Sequence, residues 1–121
     1  MNWNNIRLEL ARADGFPRGS PHRCYLLSLP LEATGFIDET SVLASPNRAM
    51  VRRFWPSQPD LRGNVVRMSN GWAFAYERSK DGEERVCDFD THPIRVGETF
   101  AVTEPDGKRL FFTVTNVTPY R

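Results

Sequence analysis

Two short segments of this chain combine residue types that could do chemistry. The first is Arg48 to Trp55, where Arg52, Arg53, Phe54 and Trp55 are consecutive. Guanidinium groups beside aromatic rings can hold a phosphate or a carboxylate, or sandwich a flat ring. The segment also conflicts with its own periodicity. If Met50 and Phe54 face a core, Arg52 lies between them; if Val51 and Trp55 face it, Arg53 does. A regular strand therefore puts an arginine on its apolar side in either register. A guanidinium so placed needs a carboxylate or must extend its head to water. The expectation is one buried arginine paired with a carboxylate, Asp38, Glu39, Asp60 and Asp88 being candidates, and one exposed arginine beside a ring.

The second segment is Asp88-Phe89-Asp90-Thr91-His92. On a strand, Asp88, Asp90 and His92 would share one face, a spacing that can hold a divalent metal or pair an acid with a base. The plainer alternative is an acidic strand edge that discourages pairing with other chains. A Cys₂His₂ site from His22, Cys24, Cys87 and His92 lacks the usual zinc spacing. The chain has no nucleophile motif, no HExxH, no phosphate-binding glycine loop and no alternating βαβ pattern. The sequence thus assigns no catalytic residue and names no cofactor.

The elements that must position these groups follow a period of two. Ile6, Leu8 and Leu10 alternate with polar residues, as do Tyr25, Leu27 and Leu29; Pro30 closes that strand. Met50 to Trp55 is a further strand, Pro56 to Gly63 a loop, and Asn64 to Met68 a strand. Asn70-Gly71 is the preferred type I′ pair, which predicts a hairpin leading into Trp72, Phe74 and Tyr76. Lys80-Asp81-Gly82 is a turn before a strand near Glu84 to Phe89. Phe100 and Val102 belong to the next strand. Glu104-Pro105-Asp106-Gly107 is a turn by its proline and glycine, and Leu110, Phe112 and Val114 form the last strand. Residues 38–44 allow at most one short helical turn, capped by Asp38 or Thr40. The expected fold is all-β: one domain over residues 1–121, an antiparallel β-barrel or β-sandwich of about 7–8 short strands. Trp72, Phe74, Leu110, Phe112 and Val114 are its predicted shared core.

Composition bounds the function. Length, 40% hydrophobic and 26% charged residues suit one globular domain. A net charge of +1 supplies no field toward nucleic acid or an anionic membrane. Of sixteen bases only Lys80 and Lys108 are lysines, an excess of arginine that codon usage in a GC-rich bacterial genome explains. Two distant cysteines, with no signal-peptide pattern and no long apolar run, point to reduced thiols in the cytoplasm. The function expected is that of a small non-enzymatic interaction module acting through an Arg/aromatic surface. Its partner would be a protein or a second copy of the chain, or secondarily an anionic ligand; no membrane is expected, and the charge disfavours nucleic acid. The alternatives are a β-barrel that holds a small ligand and an enzyme whose site the sequence does not display.

Overall fold

The computed structural model describes residues 2–77, 83–86 and 88–120. The turn at Lys80-Asp81-Gly82 and the residue Cys87 lie outside them. Eight strands follow one another: β1 (Trp3–Leu10), β2 (Ser20–Pro30), β3 (Met50–Phe54), β4 (Leu61–Met68), β5 (Gly71–Tyr76), β6 (Glu84–Val86), β7 (Thr99–Thr103) and β8 (Arg109–Pro119). Each pairs antiparallel with the next, and β8 returns to pair with β1, which closes the sheet into a barrel. The barrel alternative is the one realised. Closure leaves no open sheet edge.

The alternation read in the sequence becomes an inside and an outside. Ile6, Leu8 and Leu10 are buried on β1. They face Leu27 and Tyr25 of β2 on one side and Val114 and Phe112 of β8 on the other. Trp72, Phe74, Phe112 and Val114 lie in one buried cluster, with Leu110 half-buried against it. A barrel of eight strands is narrow enough for side chains to fill, which is what these residues do. Gly63 lets β4 approach β5 closely: a Cβ there would stand 1.9 Å from the Ala75 carbonyl oxygen.

The order of strands sends the connections alternately to two ends. One end receives the residue 31–49 connection, which contains a helix, α1 (Glu39–Ala44), and a 3₁₀ turn (Pro46–Arg48). Of the two expected caps, Asp38 and Thr40, it is Asp38 that caps α1, by accepting from the Ser41 backbone N–H. Ile37 and Val42 are buried beneath this connection, and Phe89 and Ile94 beneath the β6–β7 connection. The two connections join where the Ile94 N–H donates to the Gly35 carbonyl. Arg67 ties them again, with Nε 3.0 Å from Glu39 Oε1 and Nη1 2.8 Å from Asp90 Oδ1. This end is covered. The β1–β2, β3–β4 and β7–β8 connections lie at the other end, toward which β3 runs. No helix among the described residues is long and apolar enough to cross a membrane.

Three local expectations are corrected. Residues 61–63 belong to β4, so the loop after β3 ends at Asp60. The β4–β5 turn is Ser69-Asn70 rather than Asn70-Gly71, because Met68 pairs with Gly71 and Val65 with Phe74. Asn70 does not adopt positive φ; Gly71 does, at 132°. An Asn70-Gly71 loop would have set Arg67 opposite Phe74, so apolar packing overrides the local turn preference. Finally, β6 ends at Val86, and residues 88–92 form a turn in which the Thr91 and His92 N–H groups donate to the Asp88 carbonyl.

Candidate functional site at the open end of the barrel

On β3 the alternation resolves the arginine conflict. Val51 and Arg53 stand opposite Leu27 and Tyr25, both buried core residues of β2, so Arg53 takes the inward side. Arg52 points outward, over the Phe54 ring at 4.9 Å, and borders a shallow groove with Asn5, Arg7 and Met50. Arg53 lies over the Trp55 ring at 4.1 Å. The two arginines therefore serve different surfaces, Arg53 and Trp55 one, Arg52 and Phe54 the other.

The expected buried ion pair is not formed. Both arginines are half-buried, and neither has a carboxylate within salt-bridge distance among the described residues. Their Nε atoms are buried with no hydrogen-bond partner among the described residues. Arg53 manages without an ion pair because it sits at the last inward position of β3. Its stem crosses the core edge while its head stacks on Trp55 at the barrel mouth. Trp55 is in turn held edge-on by Tyr25, 5.8 Å away, and tilted against Phe112, 5.9 Å away.

Below Arg53 the barrel has a polar floor. Glu84 of β6 is only 3% exposed. Tyr25 donates its hydroxyl to Glu84 Oε1 at 3.1 Å, and Tyr76 donates to the same oxygen in a very short contact. Burial raises the Glu84 carboxyl above the ordinary range, while the Tyr76 hydroxyl, the nearby Arg53 charge and the Tyr25 hydroxyl pull it back down. Burial raises both tyrosines first, Glu84 adding to the rise of Tyr25, and Tyr25 and Glu84 to that of Tyr76, while the Arg53 charge opposes it, so they remain donors. The sequence reading did not single out Glu84. Its signal was parity: Glu84 shares a strand face with Val86, as Tyr76 does with Trp72 and Phe74.

A raised carboxyl has a definite consequence for stability. Its contribution is fully present below the unfolded-state pKa of about 4.3 and is lost as pH rises through the higher folded-state value. Glu84→Gln removes this dependence and leaves an amide that can still accept from a tyrosine. Wild type measured against Glu84→Gln should therefore gain stability as pH is lowered from neutral. Urea titrations at a series of pH values check this; a gap that does not change with pH would show that Glu84 is not held against its charge.

Around Arg53 opens a pocket of about 670 Å³. Among the described residues five cations line it, Arg12, Arg23, Arg53, Lys108 and Arg109, against the two carboxylates Asp14 and Glu104. Its walls come from the β1–β2 connection, the start of the β3–β4 connection and the β7–β8 hairpin. Two of these are well anchored. Ala13 and Phe16 exchange backbone hydrogen bonds, and Gly19, at φ 71°, lets the loop return over the Leu10 carbonyl. The hairpin turns through Gly107 at φ 88°, with the Gly107 N–H donating to Glu104, as the sequence pattern required. An excess of fixed positive charge around an open volume suits an anion.

The Asp88, Asp90 and His92 set is dispersed. Asp90 accepts from Arg67 through both oxygens, at 2.8 and 2.9 Å, and from the Trp72 indole at 3.2 Å. His92 Nδ1 contacts the Thr91 hydroxyl at 3.0 Å, and Asp88 adopts a φ of 72°. Among the described residues no group of three His, Cys, Asp or Glu side chains is placed to hold a metal ion. Cys24 is a buried free thiol whose pKa burial raises. Comparison with protein-family models, with curated proteins and with solved structures returned no match.

Proposed function

We propose that the chain is a non-enzymatic binding module whose site is the mouth of the barrel, and that it takes a small anionic molecule there. One observation carries this reading: Arg53, on the inward side of β3 and with no carboxylate at salt-bridge distance among the described residues, lines a pocket with four further cations. An interaction module with a filled end and an exposed apolar patch would be built differently. Here Arg53, an inward residue of β3, itself lines an open volume together with other polar side chains, the arrangement of a ligand site. The Arg/aromatic surface of the sequence reading is thus divided, and the Arg53–Trp55 half is assigned to binding. A reducing compartment such as the cytoplasm suits the buried thiol of Cys24.

Calorimetric titration with inorganic phosphate tests the assignment. We expect a dissociation constant on the order of 1 mM, rising about tenfold in Arg53→Gln. Arg52→Gln, one residue away but on the outer surface, should leave binding unchanged. Equal losses in the two variants, or no binding at about 10 mM phosphate, would refute the proposal.

A further inference from the structure

The cations at the mouth are not placed alone. Arg23 lies over the Phe16 ring at 4.3 Å, Arg53 over Trp55 at 4.1 Å and Arg109 over Phe111 at 5.5 Å. All six residues line the same pocket, and the three pairs come from three separate parts of the chain. A site for a bare oxyanion needs donors and charge, and rings at its rim add nothing to that task. These rings also remain partly open, with Phe111 46% exposed. The pocket, about 670 Å³, is far larger than an inorganic anion fills. It falls within the roughly 300–1,000 Å³ of ordinary small-molecule sites.

We infer that the ligand of this mouth joins a flat aromatic ring to its anionic group, as an aryl phosphate or aryl carboxylate does. The inference rests on the reading of the mouth as an anion site. Arginine is suited to both halves of such a ligand. The edge of a guanidinium donates to the oxyanion while its face accepts a stacked ring, and the Arg53 head already lies over the Trp55 ring. Phe16 and Phe111 supply apolar area for the rest of the ring. The same chemistry occurs in a free small molecule and in the nucleotides of a single strand. The free molecule is favoured, because a strand needs a basic track that continues beyond one pocket, and the whole chain carries a net charge of only +1.

The test compares three probes on the intact protein: inorganic phosphate, phenyl phosphate and an oligothymidylate. Phenyl phosphate should bind at least about tenfold more tightly than inorganic phosphate, the scale of one aromatic stack. Phe111→Ala, which alters an exposed ring, should shrink that advantage without weakening inorganic phosphate. Trp55→Leu should shrink it further, with folding checked by thermal melt. If both phosphates bind equally, the ring inference fails while the anion site stands. If neither binds, both fail. Should the oligothymidylate bind more tightly per molecule than phenyl phosphate, the ligand is a strand and the small-molecule inference is overturned.

Discussion

Phe112→Ala is expected to lower the unfolding free energy by about 3–5 kcal/mol. Phe112 is fully buried on β8, opposite Phe100 of β7 and Leu10 of β1. Its ring packs edge-on against Tyr25, with centroids 4.8 Å apart, and supports Trp55 from beneath. Truncation would remove the ring's burial and leave a void between the floor of the mouth and the apolar centre. Backbone hydrogen bonds on both sides of β8 would resist collapse into that void, so the cost should sit toward the upper part of the range. Equilibrium urea denaturation measures it. A loss below about 1 kcal/mol would show that the ring is not part of the core.

The second large effect is expected at Gly63. Its φ is not positive, so alanine meets no backbone preference there; the obstacle is space. An added Cβ would stand 1.9 Å from the Ala75 carbonyl oxygen and 2.6 Å from the Tyr76 Cα, both backbone atoms of the neighbouring strand. Neither can swing aside as a flexible side chain would. Gly63→Ala should destabilise the fold by about 1–3 kcal/mol or more, as overpacking does. Because Tyr76 is the residue displaced, the substitution should also disturb the hydroxyl contact to Glu84 and flatten the pH dependence described above. A variant as stable as wild type, with that dependence intact, would mean that β4 and β5 are not drawn together at this point.

Much of the fold was legible because alternation is a local property. Ile6 to Leu10, Tyr25 to Leu29, Trp72 to Tyr76 and Leu110 to Val114 each declare a face, and each face is buried apart from Tyr76 and Leu110, which are half-buried. Closure was not legible, since it depends on β1 meeting β8, a pairing more than a hundred residues apart that leaves no local mark. The Asn70-Gly71 turn misled because a two-residue preference is weaker than setting Val65 rather than Arg67 against Phe74. The site was half legible. Parity showed that an arginine must face inward, and it pointed to Arg53 and Trp55 without separating them from Arg52 and Phe54. It suggested a carboxylate partner where the barrel end allows the guanidinium to reach the mouth. Glu84 escaped notice because β6 is three residues long and its partner Tyr25 is 59 residues distant in the chain. The cations of the rim, from Arg12 to Arg109, are scattered over three strands and two connections and meet only once the barrel has formed.

The central claim, that the open end of this barrel binds an anion, is tested most directly by amide and indole chemical shifts during a phosphate titration. The tryptophans act as internal reporters. Trp55 stands in the mouth, whereas Trp72 donates to Asp90 at the covered end. Anion binding at the mouth should give saturable shifts of the Trp55 indole and of backbone amides near Arg53, Lys108 and Arg109, with the Trp72 indole unmoved. Shifts centred instead on Trp72, or on the outer groove at Arg52 and Met50, would contradict it.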